Sequence, residues 1–252
     1  MIYFVGAGPG AVDLITVRGK ELLERADLII YAGSLVNPAL LHYAKRTCRV
    51  VNSASLTLED VIAFMEEAEA KGLMTVRLHT GDPSIYGAIR EQMDILKEKN
   101  IPYTCVPGVS SFCAAAAALQ AEYTLPGVSQ SVIITRMEGR TPVPDSQHIA
   151  DYAAHHATMV IFLSASLVRK LQEQLLSGGY DKDTKAAIVY KASWPDEKTF
   201  PCTVGTLAET AEKNAITHTA LIVVGNFLAD AYERSRLYDP TFSHACRTAK
   251  EE

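Results

Sequence analysis

Short apolar runs alternate with amphipathic stretches through the first 121 residues of the chain. Helical spacing of apolar residues predicts helices at residues 16–25, 37–43, 57–71, 88–99 and 110–120. Continuous apolar runs predict strands at residues 2–5, 27–31, 49–51, 73–78 and 103–106. The 57–71 helix has the clearest ends, with Thr57 as N-cap, Asp60 three residues later and Gly72 as the stop. Strands that alternate with helices are typical of a parallel sheet, so we predict an α/β domain with a largely parallel sheet.

The second half of the chain shows the same kinds of pattern with one difference. Residues 199–203 fit one arm of a hairpin, which favours a mixed sheet. The other predicted strands are residues 131–136, 158–163, 185–191 and 219–225, and the predicted helices are residues 147–156, 167–176 and 206–213. We therefore predict an N-terminal α/β domain over 1–121, a linker at 122–130 that contains Pro126 and Gly127, and a C-terminal α/β domain over 131–229. The charged segment 230–252 is predicted to be peripheral.

Composition narrows the function classes. The 252 residues carry a formal net charge of −5, and an acidic protein without a basic stripe is a poor candidate for nucleic-acid binding. No apolar run approaches the ~18 residues of a membrane helix. The five cysteines form no CxxC pair and are odd in number, so we predict reduced thiols, no metal site and a cytoplasmic protein. Cys105 and Cys113 lie in apolar runs and are predicted to be core residues.

The loop at residues 77–87 is the strongest candidate for a ligand site. It follows a predicted strand and precedes a predicted helix, which is where open α/β sheets bind ligands. Gly81 allows close approach to the backbone, Pro83 stiffens the turn, and Asp82 offers a fixed acceptor. The competing interpretation is an ordinary strand-to-helix turn with Asp82 as the N-cap of the helix.

Two further loops of small residues also follow predicted strands. The first is Gly6-x-Gly8-Pro9-Gly10, whose third glycine comes too early for a dinucleotide fingerprint; Pro9 also lacks an N–H for a pyrophosphate. The second spans residues 107–111, where Ser110 or Ser111 could instead simply cap a helix. If the sheet is parallel, all three loops open on one edge. This convergence predicts a site for a ligand that needs close backbone contact and carries no phosphate.

Other segments leave two interpretations open. Arg136 and Arg140 flank one loop and could hold carboxylates in a bidentate manner, or they could lie on a solvated surface. The 191–197 segment contains the only tryptophan, Trp194, and is consistent with a hairpin corner. His79 borders the candidate loop and is more often a structural donor than a catalytic base in such a position.

Together these residues resemble the tetrapyrrole methyltransferases. The resemblance covers residues 1–228 and rests on GAGPG near the N-terminus, GDPxxYG, PGVSS before an alanine-rich helix, and the closing ALIVVG. It implies two α/β domains with S-adenosyl-L-methionine in the cleft between them. Four further segments, residues 31–36, 79–83, 134–144 and 190–198, are similar to members that methylate a ring carbon of a corrin precursor.

The resemblance also implies which residues contact the cofactor. Ala192 stands where some relatives carry glycine, and Leu163 where some carry methionine, so backbone contacts are expected to be kept at both positions. The implied cofactor-binding residues are Pro9, Thr80, Gly81, Asp82, Ile85, Ser110, Ser111, Leu163, Ala192, Thr219, Ala220 and Leu221.

For the substrate, the resemblance implies a tetrapyrrole that bears many carboxylates, and Arg136, Arg140 and Lys191 are the candidates to bind it. No side chain is assigned as a catalytic acid or base, because methyl transfer to a nucleophilic carbon that becomes quaternary requires only positioning. The product of the cofactor is S-adenosyl-L-homocysteine, and the family suggests a homodimer. The alternatives are a related methyltransferase that acts on another precorrin or uroporphyrinogen, and a non-catalytic tetrapyrrole carrier.

Overall fold

A computed structural model describes residues 1–33 and 35–249 of the chain. Ser34 of the 31–36 motif and residues 250–252 of the predicted tail lie outside the described residues. The chain folds into two compact units. The first consists of Met1–Ala114 together with Lys191–Asp196, and the second of Ala115–Tyr190 and the chain from Glu197 onward. The predicted domain limits of 1–121, 122–130 and 131–229 stay a prediction.

The first unit contains a five-stranded sheet in which every strand pair is parallel, in the order β3-β2-β4-β1-β5. Its strands are β1 (Ile2–Gly6), β2 (Leu28–Tyr31), β3 (Arg49–Asn52), β4 (Thr75–His79) and β5 (Tyr103–Val106). Its helices are α1 (Val17–Arg25), α2 (Leu58–Ala70) and α3 (Arg90–Glu98), and the boundary between the two units falls within α4 (Ser111–Ala118). The parallel sheet predicted from the alternation of strands and helices is confirmed.

Helices cover both faces of this sheet because alternate residues of each strand point to opposite sides. Ile2 and Phe4 of β1 pack into a buried cluster with residues of α2 and α3, such as Met65 and Leu96. Val5 packs into a second cluster with residues of α1. The result is a doubly wound sheet whose carboxyl edge is left to the loops.

Local signals set the ends of several elements. Thr57 and Asp60 form a complete capping box at the start of α2, and Gly72 ends the helix with a φ of +65°. The predicted short helix at 37–43 is a 3-10 helix, Pro38–Tyr43, whose first turn is capped by the Asn37 side chain.

The second unit contains a mixed five-stranded sheet in the order β6-β7-β10-β8-β9. Only β6 and β7 are parallel, and the remaining pairs are antiparallel. Its strands are β6 (Val132–Arg136), β7 (Thr158–Phe162), β8 (Lys185–Tyr190), β9 (Lys198–Thr203) and β10 (Ala220–Val224). Its helices are α5 (Ile149–Ala153), α6 (Val168–Ser177) and α7 (Leu207–Lys213). The hairpin predicted at 199–203 is confirmed, and so is the fold class of two α/β units, one parallel and one mixed.

Two further observations concern the composition-based predictions. In the two described stretches, no helix is long and apolar enough to cross a lipid bilayer. The prediction that Cys105 and Cys113 are core residues is wrong, because both are exposed. Cys105 lies on β5, an edge strand, which leaves its side chain uncovered.

Candidate active site

Three glycine-bearing loops meet at the carboxyl edge of the parallel sheet, after the adjacent strands β4, β1 and β5. Gly8 and Gly81 exchange two backbone hydrogen bonds of 3.2 and 2.8 Å. A Cβ added to Gly6 would lie 2.5 Å from the Gly108 Cα, and one added to Gly108 would lie 2.2 Å from the Gly81 carbonyl oxygen. Backbone meets backbone here, so no larger residue fits, and the predicted convergence of the three loops is confirmed.

Asp82 fastens two of these loops together. Its Oδ2 accepts a 2.8 Å hydrogen bond from the Gly108 N–H, and its Oδ1 accepts a 2.8 Å bond from the Ser84 N–H and a further bond from the Ser84 hydroxyl. Partial burial acts to raise the pKa of Asp82, but these hydrogen bonds outweigh it and lower the pKa below its usual value. The interpretation of Asp82 as a helix N-cap is wrong, because α3 begins only at Arg90 and is preceded by Ile89.

The loop after Asp82 has an unusual backbone. Tyr86 and Ala88 adopt φ values of +56° and +48°, the left-handed region that non-glycine residues seldom occupy. Between them, a Cβ added to Gly87 would lie 2.1 Å from the Pro83 carbonyl oxygen. Such conformations cost about 1 kcal/mol or more each and are concentrated at ligand sites. Upstream of this loop, the Thr80 hydroxyl donates a 3.3 Å hydrogen bond to the Leu35 carbonyl.

Trp194 packs on the first glycine loop. Its Nε1 donates a 3.1 Å hydrogen bond to the Pro9 carbonyl, and Ser193 Oγ accepts a 3.0 Å bond from the Ala11 N–H. A Cβ added to Gly10 would lie 2.1 Å from the Trp194 ring. The 191–196 segment connects β8 and β9, as the hairpin-corner interpretation predicts, yet it packs as part of the first unit. The presence of a single tryptophan in a polar turn was the only sequence signal for this packing.

Arg77 and His79 of β4 lie just before the Asp82 loop and are both buried. Burial lowers the pKa of Arg77 to about 10, which still leaves it charged near neutral pH. Burial, together with the nearby Arg77 charge, lowers the pKa of His79 to about 3. His79 is therefore neutral and weakly basic at neutral pH, and its interpretation as a structural donor and not a catalytic base stays a prediction.

In the second unit, several predicted site residues gather at one edge of the mixed sheet. Ala220, the first residue of β10, pairs with Tyr190, the last residue of β8. Leu163 follows the end of β7, the other neighbour of β10, and is 63% exposed with a φ of +52°. Thr219 has the same φ value, although it is β-branched. Leu221 is buried, so its side chain is part of the core.

The candidate substrate-binding cations differ in how they are engaged. The Arg136 guanidinium donates to three carbonyls of its own loop, those of Met137, Thr141 and Pro142, at 3.2, 3.2 and 2.7 Å. Arg140 is exposed. The Lys191 Nζ lies 2.6 Å from a carboxylate oxygen of Asp196. Arg136 thus orders the loop that carries Arg140, and the substrate roles of all three cations stay predictions.

The chemistry of the first-unit loops suits a cation without phosphate. Seven predicted cofactor contacts lie here, and Asp82 is the only ionisable residue among Pro9, Thr80, Gly81, Asp82, Ile85, Ser110 and Ser111. These loops contain no cluster of lysine or arginine that would neutralise a pyrophosphate. Among residues 1–33 and 35–249, no three histidine, cysteine, aspartate or glutamate side chains are grouped as metal ligands.

The chain matches a protein-family model. Residues 1–208 match the model of the tetrapyrrole (corrin/porphyrin) methylases. That match covers both the glycine-bearing loops of the first unit and most of the second.

Two curated relatives match nearly the whole chain. A cobalt-precorrin-4 C(11)-methyltransferase of Methanocaldococcus jannaschii is 51% identical over 98% of this chain and 95% of its own length. A precorrin-4 C(11)-methyltransferase of Sinorhizobium is 43% identical over 98% of both chains.

Two solved structures show the same fold. A cobalt precorrin-4 methyltransferase of cobalamin biosynthesis superposes with a TM-score of 0.88 at 45% identity, over 90% of this chain and 95% of that one. A uroporphyrin-III C-methyltransferase of Thermus thermophilus in complex with S-adenosyl homocysteine superposes with a TM-score of 0.76 at 25% identity, over 90% and 98% of the two chains.

Proposed function

We propose a reaction from one premise: the chain belongs to the tetrapyrrole (corrin/porphyrin) methylase family. The chain is an S-adenosyl-L-methionine-dependent methyltransferase that methylates carbon 11 of precorrin-4 or cobalt-precorrin-4 in cobalamin biosynthesis. The observation that carries this conclusion is the 51% identity with a cobalt-precorrin-4 C(11)-methyltransferase over 98% of this chain. A precorrin-4 C(11)-methyltransferase is 43% identical over 98% of this chain. The activity test therefore includes the substrate with and without cobalt.

The three glycine-bearing loops support the proposed cofactor. S-adenosyl-L-methionine, when bound, supplies a methyl group on a positively charged sulfur. The loops offer backbone amides and carbonyls at close range, and their one carboxylate, Asp82, keeps its negative charge because its pKa is lowered. A cation without phosphate fits this set of groups. Pro9, Thr80, Gly81, Ile85, Ser110 and Ser111 in the first unit, and Leu163, Ala192, Thr219, Ala220 and Leu221 further along the chain, are proposed to contact the cofactor as well.

The role of the protein in the reaction is positioning. Holding two reactants at a near-attack distance supplies up to ~7–11 kcal/mol in ideal cases. The tight bonds between Gly8, Gly81, Asp82 and Gly108 keep the loops rigid, so little order must be gained when ligands bind. The backbone carbonyl dipoles of these loops would stabilise the positive charge of the methyl donor when it is bound. His79, with its pKa near 3, is not needed to remove a proton.

The activity test mixes the purified full chain with S-adenosyl-L-methionine and either precorrin-4 or cobalt-precorrin-4. Mass spectrometry is expected to show the gain of one methyl group, and NMR with a labelled methyl donor places it on carbon 11. Uroporphyrinogen and earlier precorrins serve as comparison substrates. Preferred turnover of one of these, or binding of the tetrapyrrole without methyl transfer, would refute the proposal.

The cofactor site is tested by Asp82→Ala. Hydrogen bonds to a charged group are worth about 1.5–3 kcal/mol each, so S-adenosyl-L-homocysteine is expected to bind at least about tenfold more weakly. Ser84→Ala is the matched control, because it removes only the hydroxyl bond and leaves the Gly108 bond in place. If folded Asp82→Ala binds the product in calorimetry as well as the parent does, the first-unit loops are not the cofactor site.

We also propose that the protein is a cytoplasmic homodimer. The resemblance to the family suggests the dimer, and the five free cysteines are compatible with a reducing compartment. Light scattering coupled to size-exclusion chromatography measures the mass in solution; a monomer over the whole concentration range would contradict the dimer. Cell fractionation tests the location.

A further inference from the structure

A buried arginine in the first unit lacks a counter-ion. Arg77 on β4 is 7% exposed, and its guanidinium donates only to neutral acceptors, the Gln92 Oε1 at 3.3 Å and the Ile30 carbonyl at 3.2 Å. No carboxylate lies within ion-pair distance of it in the described stretches. Arginine is almost never buried unless it is paired, because an isolated charge loses its hydration. The described residues therefore give Arg77 hydrogen bonds but no ion pair, and an anionic ligand would supply the missing charge.

His79 supplies a second unsatisfied group on the same face of the strand. It lies two residues beyond Arg77, so both side chains point towards the α2–α3 layer. His79 is 4% exposed, and its Nε2 is buried without a hydrogen-bond partner among the described residues. Buried polar atoms without partners are rare in folded proteins and mark places where a ligand or water completes the bonding.

Both side chains line a cavity of about 290 Å³. Ser53, Thr57 and Gln92 add polar groups to its wall, and the strained turn with Tyr86 and Ala88 closes one side. Pockets for drug-sized ligands begin at about 300 Å³. The cavity is therefore large enough for one short polar arm of a ligand and too small for a tetrapyrrole ring.

We propose that this cavity binds one carboxylate-bearing side arm of the tetrapyrrole, with Arg77 as its cationic partner. The assignment rests on the proposed function for the identity of the arm, and on Arg77, His79 and the cavity for the binding chemistry. An arginine fork and a carboxylate form two parallel charge-assisted hydrogen bonds, which fixes the direction of the arm as well as binding it. Anchoring one arm sets which face and which edge of the ring are presented to the methyl donor, so Arg77 is a specificity-determining residue.

One nearby charge opposes an anion and gives a useful variant. Glu91 is exposed and also lines the cavity. Its repulsion is weakened by solvent screening, since it lies at the surface. Removing this charge with Glu91→Gln is therefore expected to strengthen binding of a carboxylate by a few-fold.

The first experiment uses propionate as a probe and needs no methyl transfer, so it remains informative even if the proposed reaction is wrong. Propionate is expected to raise the melting temperature of the full chain relative to propionamide and sodium chloride at matched ionic strength. The rise should disappear in Arg77→Met and grow in Glu91→Gln. An equal effect of propionate on the parent and on Arg77→Met would overturn the proposal.

The second experiment measures turnover and cofactor affinity separately. Charge-assisted hydrogen bonds of this kind correspond to about a 10- to 100-fold effect, so Arg77→Met is expected to raise KM for the tetrapyrrole by that factor. The affinity for S-adenosyl-L-homocysteine should stay within about twofold. Arg90→Met is the matched control, because Arg90 is an exposed arginine outside the cavity wall and pairs with Asp94; it should change neither quantity.

Two outcomes would overturn the assignment to a side arm. Loss of S-adenosyl-L-homocysteine affinity with an unchanged tetrapyrrole KM would mean that Arg77 holds the carboxylate of the cofactor. Unchanged values of both would make the arginine purely structural. If Arg77→Met does not fold, Arg77→Lys decides, since lysine keeps the charge but not the fork and should show a smaller rise in KM; parental kinetics in that variant would contradict the proposal.

Discussion

Replacing Gly10 by alanine is expected to displace the only tryptophan of the chain. The new methyl group would lie 2.1 Å from Cδ1 and 2.3 Å from Nε1 of Trp194. Non-bonded carbon atoms prefer about 3.5–4.0 Å, so the indole must move by about 1.5 Å. Gly10 does not have a positive φ, so the substitution acts through this clash and not through backbone strain.

The size of the loss follows from two contributions. Overpacking costs typically about 1–3 kcal/mol. The shift also breaks the 3.1 Å hydrogen bond from Nε1 to the Pro9 carbonyl, which adds about 0.5–1.5 kcal/mol. We therefore expect Gly10→Ala to lower the free energy of unfolding by about 1.5–4.5 kcal/mol. Because Pro9 is a proposed cofactor contact, the affinity for S-adenosyl-L-homocysteine should also fall.

The assay is urea denaturation followed by far-UV circular dichroism and by tryptophan emission. Since Trp194 is the only tryptophan, native emission reports this contact alone and should move to longer wavelength in Gly10→Ala. Gly139→Ala is the matched control, because its new Cβ would meet only the Leu167 side chain at an ordinary 3.5 Å. It should change stability by less than about 0.5 kcal/mol.

A double-mutant cycle tests whether the clash with the Trp194 ring causes the loss of stability. In a Trp194→Ala background the ring is gone, so Gly10→Ala should cost almost nothing. An equal cost of Gly10→Ala in both backgrounds, or parental stability and emission in the single variant, would show that the ring does not pack on Gly10.

Three further predictions follow from the first-unit loops, the buried histidine and the second-unit edge. Gly108→Ala places a Cβ 2.2 Å from the Gly81 carbonyl oxygen, and only backbone atoms could move to relieve the clash. Urea denaturation should therefore show a free energy of unfolding lower by about 3 kcal/mol or more. A decrease below about 1 kcal/mol would contradict this packing. The pKa of His79 falls from 6.5 to about 3 on folding, so the unfolded chain binds the extra proton and stability is lost as pH falls from 6.5 towards 3. His79→Gln should reduce the slope of the unfolding free energy against pH in this range by up to about 1.4 kcal/mol per pH unit. The same slope in the parent and in the variant would refute the lowered pKa of His79. Leu163→Gly relieves a φ of +52° at a residue that is 63% exposed, so its unfolding free energy should be unchanged or higher by up to about 1 kcal/mol; a clear loss would show that the side chain packs.

The sequence was most informative where the determining interactions are local. The Thr57–Asp60 capping box and the strand at Tyr103–Val106 were predicted to within a residue, because caps and short apolar runs act over a few positions. The meeting of three loops was also predictable, since parallel strands place all their carboxyl ends at one edge.

Interactions between distant segments could not be predicted in the same way. Asp82 looked like a helix cap, but its partner is the Gly108 N–H, 26 positions further along the chain. Trp194 donates its hydrogen bond to the Pro9 carbonyl, which lies 185 positions earlier in the chain. Such contacts depend on the folded arrangement of the chain, and the sequence next to either partner does not predict them. The burial of Arg77 was missed for a related reason, because a charged residue in a strand usually faces water.

The packing of Lys191–Asp196 into the first unit also bears on how the chain folds as it leaves the ribosome. All five strands of the first sheet have been synthesised before Ala115 appears, but Trp194, which covers the first glycine loop, is added only after residues 115–190 of the second unit. At about 5–20 residues per second, this delay lasts several seconds. During that interval the nascent first sheet has its strands but lacks the indole on its glycine turn, so a truncated message would yield a protein with an exposed and unfastened turn.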